Sequence, residues 1–173
     1  MKTIVIYNSQ TGFTKRYAEW IADAAGADCL ELSAAKKKDL SPYEAIIFGG
    51  WARAGRISKI RWFKENIDKW AGKKLIAFCV GGSPMDNPEI EQALKQNFKE
   101  SEWEKINIFY CPGGFNYKKM SASSKLMMKL FTKMLNSKKD KTEAEQEMIK
   151  MISTSYDLSD KKYIESILKC LNM

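Results

Sequence analysis
The chain has 173 residues, 45% of them apolar, with 29 Lys and Arg against 21 Asp and Glu and a formal net charge of +8. That length and apolar content predict one globular domain with a substantial core rather than a disordered chain. The absence of histidine removes Ser-His-Asp and Cys-His catalysis and most zinc sites. Cys29, Cys79, Cys111 and Cys170 form no Cys-x-x-Cys pair and read as buried or incidental thiols in a reducing cytoplasm. Met1-Lys2 leads straight into an apolar run, and no apolar stretch approaches the roughly 18 residues that span a bilayer. A cytoplasmic location is therefore expected.

The first element is a buried strand over Thr3 to Tyr7. An amphipathic helix follows over Lys15 to Ala25, with Tyr17, Ala18, Ile21, Ala22 and Ala25 at helical spacing. Between them lies Ser9-Gln10-Thr11-Gly12-Phe13-Thr14. This turn offers three hydroxyls beside the unpaired N–H groups of a helix N-terminus, which suits a phosphate monoester. Gly12 permits close backbone approach. The stretch is neither a Gly-x-Gly-x-x-Gly dinucleotide fingerprint nor a Gly-Lys-Ser/Thr triphosphate loop. An N-capped turn that binds nothing is the competing reading.

Asp28 to Leu32 reads as a short strand, Ser41-Pro42 as a turn, and Ala45 to Phe48 as a continuous apolar strand. Ser58 to Trp70 reads as a helix, Leu75 to Val80 as a strand, Asn87-Pro88-Glu89 to Phe98 as a helix opened by proline, and Lys105 to Cys111 as a fifth strand. Asp160 to Leu171 is the last helix. Strands alternating with helices predict a parallel sheet covered on both faces.

Tyr7-x-Ser9-x-x-Gly12-x-Thr14-x-x-x-Ala18-x-x-Ile21 resembles the flavodoxin signature, position for position. The resemblance implies an α/β three-layer sandwich with a five-stranded parallel sheet in the order 2-1-3-4-5, its ligand edge at the carboxyl ends of the strands. It implies FMN as cofactor, with the phosphate held by Ser9, Gln10, Thr11, Gly12, Phe13 and Thr14. The loop expected after the third strand, from Gly49 to Ile57, would then line the flavin ring through Gly50, Trp51, Ala52 and Gly55. Trp51 is the natural stacking side chain; an ordinary core aromatic is the alternative. Arg53 and Arg56 read equally as ligands for anionic groups or as solvated charges. Gly81, Gly82 and Ser83, after the fourth strand, would meet the pyrimidine edge. That loop lacks the aromatic that flavodoxins often place there, and Phe115 or Tyr117 could supply it. A receiver domain of the same topology is excluded, because Tyr7-Asn8-Ser9 stands where its aspartates would be.

A long helical insertion, about 113–157, separates the fifth strand from the last helix. Its roughly 45 residues far exceed the usual loop of about 4–6. Leu126, Met127, Met128, Leu130, Phe131, Met134 and Leu135 cover one arc of a helix predicted over 120–135, with Lys125, Lys129 and Lys133 on the opposite arc. Residues 118–141 hold eight lysines and one acid, a net +7 of the chain's +8. Such a helix either lies on an anionic membrane surface or packs its apolar face internally. A nucleic-acid partner is not expected, since no aromatics interleave with the lysines. The Gly49-Gly50 loop, Gly113-Gly114-Phe115-x-Tyr117 and the Lys- and Met-rich helix are similar to the bacterial branch that includes FMN-dependent protoporphyrinogen dehydrogenase. That likeness implies a quinone-linked flavoenzyme, at the inner face of the membrane, with porphyrinogen and quinone as reactants. A soluble electron carrier and a non-enzymatic flavin-binding module are the alternatives. No side chain is expected to act as acid or base. The basic pI of 9.2 speaks against the ordinary acidic carrier.

Overall fold
The computed structural model describes residues 1–173, apart from the side chain of Ala144. Five parallel strands form the spine: β1 (Thr3–Asn8), β2 (Asp28–Glu31), β3 (Ala45–Arg53), β5 (Lys74–Gly81) and β6 (Asn107–Pro112). Their order is β2-β1-β3-β5-β6, and the two-residue β4 (Arg56–Ile57) pairs antiparallel with the end of β3. The expected order 2-1-3-4-5 is thus present, with β4 as an additional hairpin. The central strands are apolar throughout because both faces are covered: Ile4, Val5, Ile6, Ile46, Ile47, Phe48, Ile76 and Phe78 are fully buried.

One core layer lies between the sheet and α1 (Phe13–Ala25) with α8 (Glu165–Asn172). There Tyr17, Ala18 and Ile21 meet Val5, Ile47 and Phe78. The other layer joins Ile4, Ile6, Ile46 and Phe48 to α2 (Leu32–Ala35), α3 (Ile60–Lys64), α4 (Glu89–Lys95), α5 (Glu100–Trp103) and the turn Asp68–Trp70. An aromatic group of Phe48, Trp62, Phe63 and Trp70, with adjacent ring centroids 5.5–6.1 Å apart, fills it. Lys74 Nζ donates to the carbonyls of Cys170 and Leu171 at 3.0 and 3.2 Å, anchoring the negative end of α8 to the sheet.

The insertion starts with β7 (Gly114–Phe115), runs through α6 (Ala122–Ser137) and α7 (Glu143–Ile152), and returns as β8 (Tyr156–Asp157), antiparallel to β7. Ser121 caps α6 by accepting from the Ser124 N–H at 3.2 Å. Thr142 and Glu145 form a reciprocal capping box on α7. Met128, Leu135 and Ile152 make a small satellite core with Phe115, Tyr117, Met120, Met148 and Ile149.

The helix expected over 58–70 is shorter. It ends at Lys64, and Asn66 Nδ2 then donates to the Trp62 carbonyl at 2.7 Å, so a side chain replaces the helical ladder. The helix expected to reach Phe98 ends at Lys95. Its continuation, Asn97, turns instead toward the β3–β4 hairpin.

Candidate functional site at the carboxyl edge of the sheet
Parallel strands deliver the ends of β1, β3, β5 and β6 to one edge. β1 hands the chain to α1 through Ser9–Gly12. Gly12 sits at φ 103°, where a side chain is strained, and it opens α1 as its N-cap residue. Its N–H is held by Ser9 Oγ at 3.2 Å. Among the described residues no hydrogen bond engages the N–H groups of Thr11, Phe13 and Thr14, the donors that a helix start leaves without intrahelical acceptors. The Phe13 ring is buried in the α1 core layer, so this residue presents only its backbone. Thr14 is buried and Thr11 partly exposed.

The Gly49 to Ile57 segment is not a loop. β3 continues to Arg53 and turns back at Ala54-Gly55 into β4. Both turn residues have positive φ, 48° and 75°, the pattern of a tight two-residue hairpin. The two glycines inside the strand answer to packing. A Cβ on Gly49 would stand 2.1 Å from the Phe78 ring, and one on Gly50 2.6 Å from Ile57 Cγ2. The Gly50 backbone lies in register between Asn8 and Cys79, so it is not a free edge. Gly55 is not free either: its carbonyl accepts from Asn97 Nδ2 at 2.9 Å and Gln96 Nε2 at 3.2 Å. Asn97, only 7% exposed, also accepts from the Ile57 N–H at 2.8 Å and donates to the Ala93 carbonyl at 2.7 Å. It fixes the hairpin, and its sequence context gave no sign of that.

Trp51 is partly buried. Strand alternation puts it on the face of Ile47 and Gly49, the α1 side, yet it packs against neither core layer, while Ala52 packs against the opposite one. Asn8 Nδ2 donates to Ser58 Oγ at 2.8 Å, tying the end of β1 to the exit of this hairpin. Arg53 and Arg56 are exposed and face each other across it.

The third loop is more occupied than its glycines imply. The Gly81 carbonyl accepts from the Gly113 N–H at 2.7 Å, and the Gly82 carbonyl from Tyr156 Oη at 2.7 Å. Tyr110 Oη accepts from the Ser83 N–H at 3.0 Å and donates to the Ser83 carbonyl at 2.9 Å. Burial pushes both phenols well above their ordinary value, so both stay protonated. A Cβ on Gly82 would meet Phe115 Cε2 at 2.5 Å. Phe115 packs edge-on to Tyr156 at 5.4 Å and stacks on Tyr117 at 6.2 Å. Phe115 and Tyr156, both from the insertion, thus pack on the Gly82 backbone. Tyr156 was not singled out from the sequence.

The insertion also meets the first loop. Gln10 Oε1 accepts from Ser124 Oγ at 2.9 Å, and Gln10 Nε2 donates to Ser121 Oγ at 3.4 Å. Arg16, one turn into α1, donates to Asp157 at 2.5 Å and to Ser159 Oγ at 2.6 Å.

All four cysteines are free thiols, with Cys79 and Cys111 buried and Cys29 and Cys170 partly buried. Burial pushes the Cys79 thiol up to about 12 and the Cys111 thiol higher still. No group of three or more Cys, Asp or Glu among the described residues is placed to hold a metal. A surface concavity of about 630 Å³ lies at the α6–α7 turn among Asn136, Lys139, Lys141 and Lys150. It has no aromatic wall and stands apart from the strand ends.

No curated protein matches the chain. A flavodoxin from the domain Archaea is 20% identical over 69% of this chain and 88% of its own, with a TM-score of 0.39. A WrbA-like flavodoxin from Agrobacterium tumefaciens is 22% identical over 70% and 86%, with a TM-score of 0.40. Flavodoxin 2 from Bacillus cereus is 20% identical over 64% and 84%, with a TM-score of 0.41. The flavodoxin-domain family model matches residues 4–143, most of the chain, and the protein belongs to that family.

Proposed function
We propose that this protein is an FMN-binding redox protein. The observation that carries the reading is the strand end at Ser9–Thr14. There the N–H groups of Thr11, Phe13 and Thr14 are left without partners among the described residues at the start of α1, next to a left-handed Gly12 in a stretch that carries the Thr11 and Thr14 hydroxyls, one strand away from an indole committed to neither core. The donor set fits a phosphate monoester, because it pairs backbone and hydroxyl donors with the positive end of a helix. The partly exposed Trp51 fits a planar apolar ring. Bound FMN would supply electron transfer; the protein would bind, orient and tune it. Ser9, Gln10, Thr11, Gly12, Phe13 and Thr14 hold the phosphate in this reading, Phe13 through its N–H alone. Gly50, Trp51, Ala52 and Gly55 form the rigid hairpin beside the ring, and Gly81, Gly82 and Ser83 the opposite wall. In that wall the Ser83 N–H is already given to Tyr110 Oη, so the Gly82 N–H and the Ser83 hydroxyl are the donors left among the described residues.

A flavoenzyme of the protoporphyrinogen dehydrogenase type is the more specific reading, favoured over a bare carrier by the insertion. Phe115 and Tyr156 cover the third loop, and Ser121 and Ser124 meet the first. A mobile carrier needs no such cover. Exposed Arg53 and Arg56 beside Trp51 suit an anionic substrate.

Apoprotein reconstitution tests the cofactor. The flavin is released by acid and separated by chromatography. FMN at one equivalent supports the proposal; FAD, or no flavin after incubation with excess FMN, ends it. Anaerobic bleaching of the bound flavin by protoporphyrinogen IX then separates the enzyme from the carrier.

A further inference from the structure
We propose that α6 docks this protein on an anionic lipid bilayer, with Leu126, Leu130 and Met134 in the headgroup boundary and Lys125, Lys129 and Lys133 against lipid phosphates. The helix does not simply bury its apolar side. Met128 and Leu135 face the satellite core, Ser124 faces Gln10, and all three are buried. Leu126, Leu130 and Met134 remain 59%, 58% and 53% exposed, and Phe131, between the two sets, is 37% exposed. These four are over half of the large apolar side chains exposed among the described residues.

Spacing of four residues makes Leu126, Leu130 and Met134 one ridge along α6. Lys125, Lys129 and Lys133 make a second ridge beside it, about 100° around the helix. The helix thus carries three strips: core, exposed apolar, basic. Among the described residues none of these three lysines pairs with a carboxylate. At 16 residues α6 is about 24 Å long. No helix among the described residues is long and apolar enough to cross a membrane, so the geometry is that of a helix lying in the interface plane.

Charge selects the occupant. A second copy seated face to face would bring two basic ridges together across an apolar strip, which like-charge repulsion opposes. An anionic bilayer matches both ridges at once. The exposed surface is a convex ridge rather than a groove, and a deformable headgroup layer accepts it. Ser121 and Ser124 hold the start of α6 against Gln10, so docking also brings the carboxyl edge of the sheet to the bilayer. Electron exchange with a lipid-soluble carrier would follow, and that consequence alone rests on the flavin reading.

The test is flotation of the full chain with phosphatidylcholine vesicles, with and without phosphatidylglycerol, at low and high salt. The protein should float with anionic vesicles at low salt and be released as salt rises. Lys125→Gln with Lys129→Gln and Lys133→Gln should lower the partition coefficient on the order of 100-fold, at about tenfold per 1.4 kcal/mol and about 1 kcal/mol per lysine. Leu130→Ser with Met134→Ser keeps every charge and should lower it roughly tenfold or more. Leu130→Trp gives a gain of signal: its added emission should be quenched by brominated lipid chains. The proposal is overturned if the wild type stays unbound at low salt, or binds neutral vesicles equally. It also fails if the Ser variant binds undiminished, if the added indole is not quenched, or if sedimentation shows a dimer that these substitutions break. Because flotation reads lipid and not flavin, its failure leaves the FMN reading standing.

Discussion

Replacing Asn97 by alanine tests whether one buried amide holds the hairpin that presents Trp51. Three bonds would be lost at a position only 7% exposed: from the Ile57 N–H at 2.8 Å, to Gly55 at 2.9 Å and to Ala93 at 2.7 Å. Ile57 is itself 3% exposed, so its N–H would be stranded, a cost of about 1–3 kcal/mol. The other two bonds contribute about 1 kcal/mol each. Gly55 would keep Gln96 as a partner, which limits the harm there. The expected loss is about 3–5 kcal/mol, a large share of the roughly 5–15 kcal/mol that stabilises a domain. Urea unfolding of the apoprotein measures it through the midpoint, with the slope unchanged. Asn97→Asp separates packing from hydrogen bonding. The carboxyl still accepts from Ile57, but it faces two carbonyls, so its ionised form is disfavoured and its folded pKa is raised. The variant should therefore lose stability as pH rises above the ordinary carboxylate value. A loss under about 1 kcal/mol in Asn97→Ala, or a pH-independent Asn97→Asp, would refute the account of the hairpin.

Thr11→Ala with Thr14→Val removes both hydroxyls, the valine preserving the buried volume at position 14; FMN affinity should fall by about 1.5–3 kcal/mol per hydroxyl in a titration of apoprotein, and unchanged affinity would move the phosphate elsewhere. Trp51→Ala should raise bound-flavin fluorescence and shift its potential while barely altering urea stability, since the indole packs on neither core layer; the opposite pattern would make it a core residue. Burial raises the Asp157 carboxyl, but hydrogen bonds from Ser159 and Arg16 outweigh it and hold that group below the ordinary carboxylate range. Its contribution to stability is therefore present above the unfolded value and lost as pH falls through the folded one. Asp157→Asn should flatten that acid limb of the thermal melting profile, modestly, because the pair with Arg16 is nearly half exposed.

The main frame was legible because its signals are local. Apolar runs bounded by turn residues marked β1, β3, β5 and β6, and helical spacing of Tyr17, Ala18 and Ile21 marked α1. The hairpin at Trp51 was not legible, for two physical reasons. Gly49 and Gly50 look like a loop, yet they are strand residues whose missing side chains make room for Phe78 and Ile57. Ala54, at φ 48°, occupies a turn position where Asn or Gly is the usual signal. α7 could have been found: Thr142-x-x-Glu145 ahead of Met148, Ile149 and Ile152 is a capping box before an apolar face. Asn97 and Tyr156 were beyond reach, because the bonds that tie them to the hairpin and the third loop, to Ile57, Gly55 and Gly82, span at least forty residues. The basic and apolar arcs of α6 were visible, but only the packed structure divides the apolar arc into a buried and an exposed strip.

The insertion is best understood as part of the edge it covers. Its length adds little closure cost, since that term grows only with the logarithm of loop length. Its own core, with three fully packed side chains at Met128, Leu135 and Ile152, is too small to hold two helices in place alone. What fixes it is contact with the site loops. Gly113 donates to Gly81 and accepts from the Leu158 N–H, both at 2.7 Å, closing the two ends onto β5. Tyr156 bonds Gly82, Arg16 bonds Asp157, and Gln10 bonds Ser121 and Ser124. The orientation of α6, including the strip it leaves exposed, is therefore set at the loops after β1 and β5. A ligand that ordered those loops and a surface that received α6 would act on one connected set of hydrogen bonds.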